Sequence, residues 1–141
     1  MPEGDLANAM ANLKRGDQLD SFEVCLTSDD VVAYLAATGE QNAAWDAWTP
    51  PLAIGALALG GLMERVGIPE GLLHTGQEFD FLRPVAHGEP VEVRLSVASA
   101  SERRGALMIV FTLELHAVGQ LVGTGRTNII VAPVEQSEVR S

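Results

Sequence analysis

Residues 49–66 read TPPLAIGALALGGLMERV, and this stretch decides the fold. Thr49 can cap a helix with its hydroxyl, and the two prolines that follow fit the first turn, where amides lack partners within the helix. No charged residue lies between Leu52 and Met63, and apolar residues occupy nearly every position rather than one stripe. A helix that is apolar on all sides lies either in a membrane or deep in a protein core.

The composition of this segment favours the protein core. About 18 residues would span roughly 27 Å as a helix, which is close to the thickness of a bilayer core. The uncharged part is only about a dozen residues long, and its glycines, Gly55, Gly60 and Gly61, weaken a membrane-spanning helix. We therefore predict a long central helix wrapped by a β-sheet, with alanine and glycine letting the strands approach closely.

The totals are those of one globular domain. The chain has 141 residues, of which 47% are hydrophobic and 20% are charged, and this suits a single core. A formal net charge of −10 with only nine Lys and Arg residues argues against nucleic acid or an anionic membrane surface as a partner. Cys25 is the only cysteine, so an internal disulfide and a thiol-rich metal site are excluded. The first residues lack the apolar segment of a secretory signal, and we expect a cytoplasmic protein.

The rest of the chain predicts one early strand, one helix and four later strands. Residues 18–27 alternate apolar and polar side chains, as a strand with one buried face does. Ser28, two acids and the terminal Gly39 are the start and stop signals of a helix. After an exit loop at 67–71, alternating stretches follow at 74–82, 91–97, 106–116 and 120–131. Short turns between the last three predict antiparallel hairpins.

These elements predict an α+β domain with the hot dog arrangement, in which a five-stranded antiparallel sheet curls around one apolar helix. Only the sheet can cover such a helix on most sides. The exposed sheet edges and the remaining apolar surface favour a dimer. We place an N-terminal arm at residues 1–16, the hot dog domain at 17–132 and a flexible tail at 133–141.

Three segments of the sequence resemble the MaoC-like dehydratases: YLAATGEQNAAWD at 34–46, PPLAIGALALGGL at 50–62, and LLHTGQEFDFLRPVAHGEPVEVRLSV at 72–97. The type that is most similar occurs as the N-terminal half of two-domain hydratases and as separate small subunits. The resemblance implies hot dog subunits paired side by side, with an acyl thioester bound along their interface. It also implies reversible hydration of a trans-enoyl thioester without a cofactor or a metal.

The hydratase signature of that family, Gly-Asp-x-Asn-Pro-Leu-His, falls on residues 39–45, which read GEQNAAW. Gly39 and Asn42 match it, and Glu40 stands at the acid position. The histidine position holds Trp45, which cannot exchange a proton. In the family the acid and the histidine together deprotonate the attacking water, and each positioned acid–base group is worth about 10²–10⁴-fold in rate. The next residue, Asp46, could supply a second carboxylate and form an unusual pair with Glu40.

Candidates for substrate binding cluster around the start of the central helix. Its first free amides would polarise the thioester carbonyl, because they point outward and the helix dipole is positive there. The indoles that precede the helix would line or close an acyl pocket, and one histidine belongs to the third family segment. These candidates are Trp45, Trp48, Pro51, Leu52, Ala53, Ile54 and His74.

Other reactive side chains have ordinary structural explanations. His87 lies in a turn and His116 at a strand end, where histidines are usually structural or solvated. Cys25, on the outer face of its strand, is expected to be an unreactive strand residue because no histidine lies near it in sequence. Arg83 is expected in a strand-end salt bridge, with a phosphate of CoA as the alternative. No His, Asp or Glu spacing indicates a metal site.

Three functions therefore remain open. The first is a MaoC-like subunit with an incomplete catalytic motif that pairs with a catalytic MaoC-like partner and binds an acyl-CoA or acyl-carrier thioester. The second is an active homomeric enoyl-CoA hydratase that uses Glu40 with Asp46 or His74. The third is a hot dog thioesterase or acyl-binding protein, for which Glu40 is the only support. The tryptophan at the histidine position favours the first.

Overall fold

The computed structural model describes residues 10–67 and 71–132 of the chain. Among the described residues between Phe22 and Val131, the chain forms five strands, two α-helices and one 3₁₀ helix. In chain order they are β1 (Phe22–Val24), α1 (Ser28–Thr38), the 3₁₀ helix (Ala43–Asp46), α2 (Pro51–Val66), β2 (Leu72–Phe81), β3 (Val91–Arg103), β4 (Ala106–Ala117) and β5 (Gln120–Val131). The predicted tail, most of the predicted arm and part of the predicted exit loop lie outside the described residues.

The strands form one antiparallel sheet in the order β1-β3-β4-β5-β2, which confirms the predicted five-stranded α+β architecture. Two-residue turns join β3 to β4 and β4 to β5. In both turns, Arg104–Gly105 and Val118–Gly119, the two residues have positive φ, as hairpin turns that follow the twist of a sheet require. The predicted antiparallel hairpins are therefore confirmed.

The sheet curls around α2 so far that both of its edge strands touch the helix. On one side the ring of Phe22, from β1, lies against Gly61. On the other side the ring of Phe79, from β2, lies against Gly55. Glycine is needed at both helix positions because any side chain would collide with an aromatic ring. The predicted role of small residues, close approach of strands to the central helix, is confirmed.

The core fills the space between α2 and the inner face of the sheet. The helix contributes Ala53, Ile54, Ala58 and Leu62, which are all nearly inaccessible to solvent. Inward-facing positions of the three central strands supply most of the remainder, including Val93, Leu95, Ile109, Phe111, Leu113, Leu115 and Ile129. The period-2 alternation in β3 and β4 arises from this one-sided burial.

The central helix differs from its prediction in its start, its length and its cover. Pro50, not Thr49, is the N-cap, and α2 has 16 residues. Thr49 is buried, and its hydroxyl donates to the Ala86 carbonyl at 3.3 Å instead of capping the helix. Leu52 and Leu57 remain 68% and 42% exposed, so one side of the helix is not covered by the sheet. None of the helices within residues 10–67 and 71–132 has the length and hydropathy needed to cross a membrane.

The first helix and the first strand also begin or end at other residues than predicted. Thr27, not Ser28, caps α1, because its hydroxyl accepts from the Asp30 amide while the Asp30 carboxylate accepts from the Thr27 amide. This reciprocal pair is a capping box. Gly39 ends α1 in the left-handed conformation, as predicted. β1 covers only three of the ten residues predicted at 18–27. The residues at 16–19, which precede it, form backbone hydrogen bonds with β3 without belonging to the strand.

Candidate functional site

A surface cavity of about 300 Å³ lies beside the N-terminal end of α2. Three segments meet there: the end of the 3₁₀ helix, the first turn of α2 and the chain that leaves β2. They are held together by the Thr49 amide, which donates to the Val85 carbonyl at 2.7 Å, and by a single bridge between Trp48 and Ala86. The lining residues are Trp45, Thr49, Pro51, Ile54, Phe81, Leu82, Arg83, Pro84 and Val85.

Trp45, which lines the cavity, is bonded to Glu40, which is not itself part of the cavity wall. The indole Nε1–H of Trp45 donates to Oε2 of the half-buried Glu40 at 2.6 Å. The chain turns back to allow this because Asn42 caps the 3₁₀ helix, its Oδ1 accepting from the Ala44 amide at 2.9 Å. An indole is only a donor. Trp45 therefore fixes the carboxylate but cannot move a proton.

The two carboxylates of the predicted pair differ in their surroundings, Glu40 being half-buried and bonded to Trp45. Asp46 is exposed at the end of the 3₁₀ helix and does not belong to the cavity wall. Asn42 has a local structural role as the cap, and its side chain is not part of the cavity wall either.

His87 fixes the backbone on the outer side of the site, a role that sequence reasoning missed. Its Nε2 contacts the carbonyl oxygens of Trp45 at 2.9 Å and Trp48 at 3.2 Å. Because carbonyls only accept, Nε2 is the donor in these contacts, and Nδ1 lies 3.1 Å from the Ser28 hydroxyl. His87 is thus structural, as expected for a turn histidine, but nothing in the sequence indicated which segments it joins.

Arg83 is held in the strand-end salt bridge predicted for it. Its Nη2 donates to Oε2 of Glu89 at 3.0 Å and to the Ala117 carbonyl at 3.3 Å. The other carboxylate oxygen of Glu89 accepts from the Ala86 amide. The hydrogen bond from Arg83, with that from the amide, lowers the pKa of Glu89 below its ordinary value. The one charged group of the described cavity wall is therefore already neutralised by a partner.

The remaining predicted binding residues divide into two groups. Pro51 and Ile54 line the cavity, as does Trp45. The Ala53 amide donates to the Pro50 carbonyl at 3.0 Å, so it is not free for a thioester as predicted. The exposed side chains of Leu52, Trp48 and His74 are not part of the cavity wall.

His74 lies far from the cavity of its own chain. It is on the same strand as Phe81, seven residues away, which corresponds to roughly 20 Å along a strand. A bulge in the pairing of β2 with β5 follows it. Within residues 10–67 and 71–132, no three His, Cys, Asp or Glu side chains lie close enough together to hold a metal ion.

Comparison with known proteins identifies the fold. No protein-family sequence model matches the chain, and no curated protein matches its sequence. Its structure resembles the R-hydratase PhaJ1 from Pseudomonas aeruginosa, with a TM-score of 0.70 and 22% identity over 88% of this chain and 84% of that chain. It also resembles the HadBC (3R-hydroxyacyl-ACP dehydratase) complex from Mycobacterium tuberculosis, with a TM-score of 0.68 and 22% identity over 85% and 98%.

A third similar structure is the MaoC-like dehydratase from Rhodospirillum rubrum, with a TM-score of 0.72 and 14% identity over 86% of this chain and 94% of that chain. The chain thus has the hot dog fold that these hydratases and dehydratases share with it. The resemblance to MaoC-like dehydratases that the sequence indicated is confirmed at the level of the fold.

Proposed function

We propose that this chain is a MaoC-like hot dog subunit that binds an acyl thioester beside Trp45 and pairs with a catalytic MaoC-like partner. The observation that carries the proposal is the hydrogen bond from Trp45 to Glu40 at 2.6 Å. Hydration of an enoyl thioester needs one group to take a proton from water and another to give a proton to the α-carbon. Trp45 can do neither, and its indole N–H is bonded to an oxygen of the Glu40 carboxylate.

The cavity wall supports binding without proton transfer. Among its described residues, Arg83 is the only ionisable group, and a guanidinium stays protonated in proteins. The remaining wall is largely apolar, which suits an acyl chain. Its volume of about 300 Å³ is near the lower end of the range for small-molecule sites. The start of α2 adds a positive dipole end close to where a thioester carbonyl would lie.

Two surfaces that one chain leaves open support pairing with a second subunit. β2, with ten residues, is the longer of the two edge strands of the sheet, and unpaired strand edges are generally covered or protected in native proteins. The open side of α2 exposes Leu52 and Leu57. A similar solved structure, HadBC, is described as a complex. A MaoC-like partner would cover these surfaces and supply the missing acid–base pair.

The proposal is tested with the purified chain, alone and co-expressed with a MaoC-like subunit that has the full signature. Calorimetry with butyryl-CoA should show binding to the chain alone, whereas hydration of crotonyl-CoA should appear only when the partner is present. Trp45→Ala should weaken binding, because it removes a wall of the cavity. Absence of binding, or a partner whose activity is the same without this chain, would contradict the proposal.

A second function, an active homomeric hydratase using Glu40, is favoured by the fixed, half-buried position of that carboxylate. Crotonyl-CoA turnover by the chain alone that disappears in Glu40→Gln would establish it. Asp46→Asn and His74→Ala, measured in the same assay, would show which of these two residues acts with Glu40. Release of free thiol from acyl-CoA, followed in the same samples, would instead indicate a thioesterase.

A further inference from the structure

Three successive cross-strand pairs of β2 and β5, called rungs below, lead away from the cavity. Each rung pairs two inward-facing residues directly across the two strands, and the first rung reaches the cavity wall. From the cavity inward, the rungs are Phe81 with Gly123, Phe79 with Gly125, and Gln77 with Thr127. Two aromatic rungs are thus followed by a polar one.

The ring of Phe79 fills a slot between two glycines. A methyl group on Gly55 of α2 would lie 2.9 Å from Cε2 of the ring, and one on Gly125 of β5 would lie 2.6 Å from Cε1. Both distances are well below ordinary contact between carbon atoms. The ring centroid lies 5.8 Å from that of Phe81, which lines the cavity. Phe79 therefore stands one layer behind the cavity wall, pressed between helix and sheet.

The rung behind Phe79 is unsuited to an alkyl chain. Thr127 is fully buried, and its hydroxyl donates to Oε1 of Gln77 at 2.6 Å. A hydrocarbon forced between these groups would leave the buried Thr127 hydroxyl without its hydrogen-bond acceptor, which is costly. Along β2 and β5, the apolar pairs that start at the cavity accordingly end at the ring of Phe79.

We infer that Phe79 sets the length of the acyl chain that the cavity accepts and restricts the ligand to short-chain acyl thioesters. The inference rests on the proposed thioester binding. A cavity of about 300 Å³ has room for about ten groups of the size of a water molecule. The thioester occupies several of them, which leaves space for an acyl chain of about four to six carbons.

The experiment measures the dissociation constants of a series of saturated acyl-CoAs, from butyryl- to decanoyl-CoA, for the wild type and for Phe79→Leu. For the wild type, affinity should rise about fourfold with each methylene group that is buried and stop rising near hexanoyl-CoA. Phe79→Leu should move this limit outward by about one carbon, because leucine is slightly smaller than phenylalanine and lacks its rigid ring.

Phe22→Leu is the matched control. Phe22 also lies against a glycine of α2, but it is on the opposite edge of the sheet and not on the cavity wall. It should leave the length limit unchanged. Phe79→Met, which keeps nearly the volume of the ring but is flexible, replaces Phe79→Leu if circular dichroism shows that the latter is unfolded, and it should also move the limit outward.

The outcomes separate the inference from the proposed function. If no acyl-CoA binds to the wild type, thioester binding itself is refuted. If the wild type binds acyl-CoA but a folded Phe79 variant has the same length limit, the role of Phe79 is refuted. An equal shift in Phe22→Leu also overturns it, because the limit would then reflect general loosening around α2.

Discussion

The adjacent residues Gly60 and Gly61 of α2 give opposite predictions for the same substitution. A methyl group on Gly60 would meet nothing within 4 Å, whereas one on Gly61 would overlap the end of the Phe22 ring. Alanine is favoured over glycine inside a helix by about 1 kcal/mol. Gly60→Ala should therefore raise the free energy of unfolding by about 0.5–1 kcal/mol.

For Gly61→Ala the same gain is outweighed by overpacking. The Phe22 ring must leave its place against the helix, where Arg65 also lies 4.2 Å from its centroid, or the helix must move away from β1. Overpacking of this kind costs about 1–3 kcal/mol, so the net change should be a destabilisation of about 1 kcal/mol. For a domain of this size, the two variants should differ in melting temperature by roughly 5–10 °C.

Urea and thermal denaturation of both variants, at one protein concentration, measure this difference. The collision is isolated by repeating Gly61→Ala in a Phe22→Ala background, where alanine should no longer destabilise because the ring is gone. Equal stabilisation by both alanines would refute the close wrapping of the helix by β1. Destabilisation by Gly60→Ala would show instead that a second surface covers that side of the helix.

Three further predictions concern single contacts. Thr27→Ala should lower the free energy of unfolding by about 1 kcal/mol in urea titrations, and Thr27→Ser should restore it. Because Arg83 lowers the pKa of Glu89, this pair stabilises the fold above the ordinary glutamate pKa, and the stabilisation is lost as pH falls through the lowered value. Glu89→Gln should therefore flatten the pH dependence of stability below about pH 4.5, and an unchanged slope would contradict the assignment. His87→Ala should weaken butyryl-CoA binding about tenfold, because the backbone around Trp45 loses its hydrogen bond; unchanged affinity in calorimetry would rule out this positioning role.

Neighbouring residues in the sequence were sufficient to predict the end of α1 and the alternation of the last two strands. Gly39 ends α1 in the left-handed conformation that glycine tolerates, and the last two strands alternate as one-sided burial requires. The N-cap of α1 was misplaced by one residue because both Thr27 and Ser28 can cap a helix. Thr27 is the cap because Asp30, three residues after it, completes a capping box with it.

Features that depend on distant segments could not be read from the sequence. Thr49 has the hydroxyl of a good cap, but its amide and hydroxyl bond to a loop more than thirty residues away. The link from His87 to Trp45 is of the same kind. Glu40 and Trp45 both belong to the motif at residues 39–45, but their contact depends on the 3₁₀ helix that contains Trp45. Only the absence of a histidine there was visible beforehand.

The slot that holds Phe79 also constrains the order in which its three residues can change during evolution. Alanine at position 55 or 125 collides with the ring as long as Phe79 is present, so either change is harmful if it comes first. A smaller residue at position 79 relieves both collisions at once, after which alanine at either position no longer meets the ring. The three positions are therefore epistatic, with substitution at 79 the permissive step. Once another residue has replaced either glycine, a return to phenylalanine at position 79 would be harmful, because the ring would collide with the new side chain.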